Sequence, residues 1–376
     1  MPSDDASVGP RRTARERSGR RRARLDALRV RTGNGQTVDE RATNARIRVW
    51  RGRLSMGDVL VRPELIAHRG SRPSLLRSVS TPKGAAVQML LLALFEAQCR
   101  QAKTLARRPT KLPMRSAPKG GTSWLQLTAL PTVDRTSRTS SSRRPDDNRY
   151  AQLRTALQVL HRAGRIGVES TGRGRFEGFT LLNESADNLV SEVSYGWPEK
   201  NEPVIRVPVE FVINGWIHTL TDNEIITFLH LLQVCGEATS KANPDGWAAI
   251  PTGGWRSTFG EDRSFEAHRE LTRFGLVDVE RPDTRRPDGT VAKDDEVPWE
   301  AHRYRVLPER LGFRAVDVVL SALDVKHSLD MDEATFSTRG PFSAVFGQAP
   351  DGWTRKAAMT EIEQAKLAAP GHVLLK

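Results

Sequence analysis

The chain has almost no cysteine, since Cys99 and Cys235 are its only two in 376 residues. Two cysteines cannot supply a zinc ribbon, and no histidine cluster lies at ligand spacing around either of them. We expect two reduced thiols on buried helix faces, with a single disulfide between them as the alternative. No metal ion or cofactor is expected.

Long apolar runs are also missing. The longest, Met89–Phe95, is far shorter than the roughly 18–20 residues that a membrane span requires. No apolar segment follows the basic N-terminus at the spacing of a signal peptide. We therefore expect a soluble, intracellular chain with no membrane partner.

Signatures of catalysis are missing as well. The sequence contains no glycine loop that ends in Lys-Ser/Thr, no H-E-x-x-H motif and no nucleophile elbow. Its eight histidines are scattered, and two of its three tyrosines, Tyr150 and Tyr304, fall on predicted packing stripes. We expect no enzymatic activity and assign no catalytic or metal-binding residue.

Positive charge is abundant and unevenly distributed. Lys and Arg number 58 against 45 Asp and Glu, and the net charge is +11 over residues 1–82, +12 over 83–182 and −10 over 183–376. A polyanion partner for the first half explains this asymmetry, because neutralised phosphates release counterions. The basic stretches lack the apolar face of a membrane-surface helix. Nucleic acid is therefore the favoured partner.

The first 53 residues predict a basic, flexible arm. The run Arg20–Arg22 and the arginines before it lie among Ser, Gly and Ala with few apolar residues. Such a segment stays disordered until it meets phosphates, so Arg20, Arg21 and Arg22 are candidate DNA contacts. A merely solubilising tail is the alternative. Short apolar clusters between prolines over 54–82 predict a small helical lead-in.

Two segments 111 residues apart share one pattern. Residues 160–169 read Leu-His-Arg-Ala-Gly-Arg-Ile-Gly-Val-Glu and residues 271–280 read Leu-Thr-Arg-Phe-Gly-Leu-Val-Asp-Val-Glu. The glycine can cap a helix with a positive φ, and the alternating apolar residues that follow begin a strand. Each segment therefore predicts a helix–glycine–strand joint.

The flanks of the two joints predict the same elements in the same order. Each unit is predicted to run helix, short strand, helix, helix, strand, loop, strand. The segments that match between the units are the first, apolar helix, the short strand, the amphipathic helix before the joint and the returning strand. In the first unit these are Lys83–Lys103, Trp124–Leu127, Asn148–Ala163 and Phe176–Leu182. In the second unit they are Asp222–Gly236, capped by Thr221 and Glu224, then Trp247–Ile250, Asp262–Phe274 and His302–Leu307.

This order is typical of a winged helix, a helix-turn-helix whose third helix is the recognition helix and whose hairpin loop is the wing. The second unit resembles the winged helices of replication initiators of bacterial (actinobacterial-type) plasmids, in Pro208-Val-Glu-Phe211, Gly215-Trp216 and Arg273-Phe-Gly-Leu-Val277. The resemblance covers 83–182 and 203–313, and it implies two such domains in tandem. The basic arm, the insertion between Thr104 and Pro145 and the acidic C-terminal half depart from the family pattern.

The expected fold class is mainly α with small β-hairpins (α+β), with two winged helix-turn-helix domains in tandem. The expected parts are a flexible arm (1–53), a helical lead-in (54–82), a basic first domain (83–182) with a loop insertion (104–145), a linker (183–202), a second domain with a long acidic wing (203–313) and a helical C-terminal extension (314–376). Within the extension, the pattern predicts helices over Ala315–Val325 and Lys356–Ala369.

The first unit carries the candidate base-reading residues. The face of its recognition helix opposite the leucine stripe, with its flanks, presents Asn148, Arg149, Gln152, Arg154, Thr155, Gln158 and Arg162. Asn, Gln and Arg make bidentate contacts to base edges in the major groove. The wing Thr171–Arg175 adds Arg173 and Arg175, which suit a narrow minor groove. An ordinary solvent face and a plain hairpin turn are the alternatives.

The second unit is a weaker candidate, because its net charge over 203–313 is −5. Its predicted wing, 282–300, is acidic and would repel phosphates. We therefore expect this unit mainly to contact protein or to dimerise. Its helix could still touch DNA through four arginines on or just before it, Arg256, Arg263, Arg269 and Arg273.

Together these patterns predict a non-enzymatic, sequence-specific double-stranded DNA-binding protein, cytoplasmic and associated with the nucleoid. Its expected use is recognition of an origin or operator, by a plasmid-type replication initiator or a transcriptional regulator. A homo-oligomer or a protein partner is expected to use the acidic C-terminal half. The alternative is an assembly subunit whose winged helices dock protein partners.

Overall fold

The computed structural model of the chain is a mixed α/β structure, in which helices predominate and the strands form small antiparallel sheets. Among the described residues, no helix is long and apolar enough to cross a membrane. The described residues are 14–31, 35–51, 57–67, 73–80, 85–100, 106–115, 121–131, 145–169, 171–172, 174–186, 188, 190–250, 252–259, 267–280 and 301–324.

The helices alternate with short strands along the chain. The helices are α1 (Ala14–Arg29), α2 (Val38–Trp50), α3 (Leu75–Val79), α4 (Ala86–Cys99), α5 (Trp124–Leu127), α6 (Pro145–Arg162), α7 (Val209–Ile213), α8 (Trp216–Thr219), α9 (Asp222–Ala238), α10 (Thr252–Phe259), α11 (His268–Arg273) and α12 (Ala315–Asp324). The strands are β1 (Asp58–Val61), β2 (Ile166–Gly167), β3 (Thr180–Leu181), β4 (Ile205–Pro208), β5 (Ala248–Ala249), β6 (Val277–Glu280) and β7 (Arg303–Val306).

Three small antiparallel sheets organise the described residues. β1 pairs with β4, with Leu60 opposite Arg206, and β2 pairs with β3, with Ile166 opposite Leu181. The third sheet has the order β5-β7-β6. β1 belongs to the lead-in, and β4 lies at the start of the second unit. The sheet of β1 and β4 therefore brings the lead-in beside the start of the second unit.

Both predicted helix–glycine–strand joints are confirmed. Gly164 and Gly275 have φ angles of 64° and 71°, which glycine adopts without the steric penalty of a β-carbon. The amide after each glycine closes the 6→1 hydrogen bond of a Schellman motif, from Arg165 N to Leu160 O at 2.8 Å and from Leu276 N to Leu271 O at 2.9 Å. β2 and β6 then begin at once, so the repeat in the sequence is a repeat in the fold.

The first unit differs from the prediction at Trp124–Leu127, which is helix α5 and not a strand. Ser123 and Gln126 form a reciprocal capping box, and such a box starts a helix. The position that β5 holds in the second unit is taken by the segment at Thr110, whose N–H donates to Phe179 O at 3.0 Å beside β3. α5 therefore corresponds to α10.

The prediction of a flexible arm over 1–53 is wrong for most of the residues described there, because α1 and α2 are packed helices. A capping box of Thr37 and Glu40 starts α2. The apolar residues of the two helices are few, but their spacing places them on faces that enter the common core. The buried ones include Leu25, Leu28, Val38, Ala42, Ala45 and Trp50.

The segments on either side of the first unit also depart from expectation. The lead-in contains strand β1 besides the short helix α3. The predicted linker is not a free connection, because Tyr195 is fully buried and Ser194 pairs with Leu182. Helix α12 confirms the prediction for Ala315–Val325 to within one residue, whereas Lys356–Ala369 and the wing 282–300 lie outside the described residues. Cys99 and Cys235 are free and buried, as expected.

A fully buried arginine, Arg46 of α2, joins the first unit to the second. Its Nε and Nη2 donate to Leu127 O at 2.9 and 2.6 Å, and its Nη1 donates to Val212 O at 3.2 Å. Nη1 also lies 2.8 Å from Nδ1 of His218. Burial lowers the pKa of Arg46 to about 10, so the side chain stays charged at neutral pH.

His218 lies between Arg46 and Asp39 and contacts one of them with each ring nitrogen. Since Nδ1 accepts from Arg46, the ring proton belongs on Nε2, which donates to Asp39 Oδ1 at 2.9 Å. Burial and the charge of Arg46 lower the pKa of His218 to about 4. Burial alone would raise the pKa of Asp39, but its hydrogen bonds with His218 and Arg314 hold it below its ordinary range.

We expect Arg46→Met to destabilise the fold by about 3–5 kcal/mol, because it leaves buried acceptors without a donor and Asp39 with less positive charge nearby. Urea unfolding measures the change. Arg48→Met on the same helix is the control and should change the unfolding free energy by only about 1 kcal/mol, since Arg48 makes one side-chain hydrogen bond within the described residues, to Thr122. Similar losses in both variants would contradict the role of Arg46.

His230 of α9 is a second buried imidazole. It packs against Trp255 and Phe259, and its Nδ1 lies 3.0 Å from Thr258 Oγ1. Burial lowers its pKa from 6.5 to about 4. Between these values only the unfolded chain takes up the proton, so the stability present above pH 6.5 is lost as the pH falls towards 4.

We expect His230→Gln to remove this part of the pH dependence. Between pH 7 and pH 5, the unfolding free energy of the natural chain should fall by about 2 kcal/mol more than that of the variant. Burial raises the pKa of Glu184 to about 7. Its contribution to the unfolding free energy therefore falls as the pH rises, but this effect is the same in both proteins. The measurement is denaturant unfolding at the two pH values, and equal losses would refute the assignment.

Candidate nucleic-acid interface

Helix α6 has one buried side and one open side. Leu153, Ala156, Leu157 and Leu160 are buried towards α4. The predicted base-reading residues on the open side are accessible, with Asn148, Gln152, Arg154, Thr155 and Arg162 exposed and Gln158 half-buried. No acidic residue occurs between 148 and 168. This open side, called the α6 surface below, is therefore polar and cationic.

The exposed polar residues of the α6 surface follow the helical repeat. Asn148, Gln152 and Thr155 are spaced i, i+4 and i+7, so they form one line near the N-terminal end. Arg162 lies about 21 Å further along the axis than Asn148. The Gln152 amide donates to Pro131 O at 3.2 Å in an exposed hydrogen bond, which a base edge can replace.

Arg149 does not belong to this surface, and the prediction that it contacts DNA is wrong. It is only 4% exposed, its Nε donates to Leu130 O at 3.1 Å and its Nη1 donates to Asp146 Oδ1 at 2.8 Å. Positions 149, 153, 156 and 160 lie on one helical stripe, so Arg149 extends the leucine stripe. It fixes the N-terminal end of α6 to the segment after α5.

Two carboxylates at the N-terminal end of α6 have cationic partners. Asp146 pairs with Arg149 and lies 3.9 Å from Arg41 of α2, and Asp147 pairs with Arg115. Arg115 also stacks over the Tyr150 ring at 4.2 Å. The sequence analysis did not assign Arg41 or Arg115 to the interface, although the capping box at Thr37 and Glu40 was a signal that Arg41 lies on a helix.

The wing of the first unit connects β2 to β3. Arg175 is half-buried, with its guanidinium 4.6 Å from the centroid of the Phe176 ring. Gly174 has a φ of 84°, which allows the tight turn at this point. Arg173 lies outside the described residues. The described part of the wing thus presents one stacked arginine.

Of the three predicted contacts on α1, one is exposed and two form ion pairs. Arg20 is exposed, but Arg21 pairs with Glu224 at 2.5 Å and stacks over Phe274, and Arg22 pairs with Asp324. Burial would lower the pKa of Arg21, but Glu224 and Glu270 raise it above its usual value. The assignment of Arg21 and Arg22 to DNA is therefore wrong, because carboxylates of the acidic half neutralise them.

The predicted recognition helix of the second unit, α11, is covered by other helices of the chain. Arg273 Nη2 donates to Ala322 O of α12 at 2.7 Å, Arg21 of α1 lies 3.7 Å from Glu270, and His268 packs on the Trp255 ring. Arg273 is thus not available to DNA as predicted, whereas Arg269 is exposed. Two predicted contacts are not described: residue Arg263 and the side chain of Arg256.

The family models, curated proteins and solved structures that were compared with the chain include no match. Any function must therefore rest on the residues and geometry of the chain itself.

We expect Arg149→Ala to reduce the unfolding free energy by about 1–3 kcal/mol, because it leaves the buried Leu130 carbonyl without its donor. Arg154→Ala, one turn further on the exposed side of the same helix, is the matched control. It should stay within about 0.5 kcal/mol of the natural chain. Guanidinium unfolding measures both, and a neutral Arg149→Ala would mean that this residue is not a structural anchor.

Proposed function

We propose that the chain is a non-enzymatic, sequence-specific double-stranded DNA-binding protein with two winged helices in tandem. The second unit supports this architecture through the order α9, β5, α10, α11, β6, β7 and a sheet in which β7 lies between β5 and β6. The first unit repeats the order, with the Thr110 segment in place of the first strand. The identical Schellman joints support a common origin of the two units.

The α6 surface is the observation that carries the proposal. It is a wide exposed strip with amide, hydroxyl and guanidinium groups and no carboxylate between 148 and 168, in a unit of net charge +12. These groups suit base edges in the major groove, and the positive charge suits the phosphates that flank it.

The spacing of the residues along α6 indicates which of them would contact bases and which would contact phosphates. The line of Asn148, Gln152 and Thr155 would contact base edges. Arg162 lies about 21 Å from Asn148, beyond the width of a major groove of about 12 Å, and would contact a phosphate. Arg175 on the wing would lie at the adjacent minor groove.

The second unit would hold the first unit in place and contact protein. Its recognition helix is covered by α1 and α12, which is the observation that favours this role over base reading. The resemblance to plasmid replication initiators favours an origin as the target, with an operator as the other use of the same parts. Either use places the protein with DNA in the cytoplasm, and a homo-oligomer through the acidic half fits a symmetric site.

Selection of duplexes from a random pool, at near-physiological salt, tests the function itself. A sequence-specific binder enriches one motif above its non-specific binding. An assembly subunit, whose winged helices dock only protein, enriches none. Absence of an enriched motif would therefore remove the proposed function.

We expect Gln152→Ala and Arg162→Ala to act differently on the selected duplex. Gln152→Ala should relax the preference at one position, with about 1–3 kcal/mol of discrimination lost, whereas Arg162→Ala should weaken all sequences alike. Lys241→Ala, at an exposed site of the second unit, is the control and should change neither quantity. Fluorescence anisotropy with matched and mismatched duplexes measures this, and equal loss on every sequence in Gln152→Ala would show that Gln152 does not read bases.

A further inference from the structure

A cleft beside α4 has no role in the base reading described above. It lies between α2, α4 and the segment that leads into α5, and its volume is about 240 Å³. Three arginines line it, and they are Arg48, Arg51 and Arg100. Glu96 and Thr122 are among its other lining residues.

The charges in the cleft are unbalanced. Glu96, the single carboxylate among the described lining residues, is held by Arg100 at 3.0 and 2.5 Å. Arg48 donates to Thr122 Oγ1 at 3.2 Å, and within the described residues neither Arg48 nor Arg51 has an ion-pair partner. Two guanidinium groups therefore face an open cleft, and no carboxylate of the described residues compensates their charge.

The pKa values of the arginines separate this cleft from the internal ion pairs. Arg62 and Arg314 lie against carboxylates. These carboxylates raise the pKa of both guanidinium groups, although burial alone would lower it. Burial and the neighbouring charge of Arg51 lower the pKa of Arg48. An arginine whose charge the surroundings disfavour gains most from an added anion.

The backbone at Arg51 points to the same conclusion. Arg51 ends α2 in the left-handed region, with φ 41° and ψ 36°, where glycine is the usual residue. A β-carbon is disfavoured there, and such positions concentrate at binding sites. Helix geometry alone does not explain an arginine at this position.

α2 also connects the cleft to the base-reading side of the unit. Arg41 and Arg48 are spaced i and i+7, so they share one face of α2, and Arg41 lies 3.9 Å from Asp146 at the start of α6. A duplex that lies on the N-terminal end of α6 would therefore approach Arg41 and the face of α2 that also carries Arg48.

We propose that Arg48, Arg51 and Thr122 form a phosphate-binding cleft that holds a backbone phosphate of the DNA read by α6. Guanidinium groups bind phosphate oxygens in bidentate geometry, and a threonine hydroxyl adds a further donor. The inference rests on the proposed function and adds to it a contact that positions the duplex without reading sequence.

The double variant Arg48→Gln/Arg51→Gly tests the cleft in duplex binding. Its affinity should fall roughly tenfold on every sequence, and the slope of log affinity against log salt should flatten by about 1, since one phosphate contact is lost, with base preference retained. Lys200→Gln/Lys241→Gln removes the same charge from two exposed sites and should change the slope much less. Arg51→Gly alone should keep or raise the unfolding midpoint, because glycine relieves the left-handed backbone, so weaker binding would not reflect misfolding.

A second arm uses inorganic phosphate in place of DNA. Phosphate that replaces chloride at constant ionic strength should raise the unfolding midpoint of the natural chain, and not that of the double variant. If the natural chain binds duplex and the variant loses no more affinity than the lysine control, the cleft assignment is overturned. If the natural chain binds no duplex, the proposed function fails. In that case, a phosphate effect that the double variant loses would indicate a site for free phosphate, and it would overturn the proposed contact with the DNA backbone. No phosphate effect in that case would overturn the cleft altogether.

Discussion

The buried guanidinium of Arg46 is the interaction on which the arrangement of the two units depends. It reaches Leu127 O in the first unit and Val212 O and His218 in the second, so three segments distant in sequence meet at one side chain. A buried cation is tolerated only where its donors find acceptors, and the His218–Asp39 pair completes that set. The helix that buries Arg46 also presents Arg48 to the outside, so the position of the proposed phosphate cleft follows from the same contact.

The uneven charge of the chain has two physical uses. Part of the positive first half is neutralised by the acidic second half, as in Arg21 with Glu224 and Arg62 with Glu184 at 3.0 Å. The remainder, on α6 and on the outer face of α2, has few carboxylates near it. The net charge of a segment cannot separate these uses, because pairing depends on which side chains meet across the fold.

Two units with the same joint have different surroundings. In the first unit the helix before Gly164 has an open polar side, whereas in the second the helix before Gly275 is covered by α1 and α12. The covering helices come from outside the two units, so the difference is not contained in the repeat. One scaffold thus supports an exposed polar surface in one copy and a surface covered by other helices of the chain in the second copy.

The sequence by itself determined the local features of this protein. The joints at Gly164 and Gly275, the cap at Thr221 and the open side of α6 follow from spacing along a few residues, because caps and helical stripes are local interactions. The helix at Trp124–Leu127 was also local, in the Ser123 and Gln126 box, but the pattern shared with Trp247–Ile250 obscured it. Only the tertiary structure decided that α1 packs, that Arg149 turns inward and that Arg21 binds Glu224. Whether an arginine faces water or a carboxylate depends on the surface opposite it, and that surface comes from residues far away in the chain.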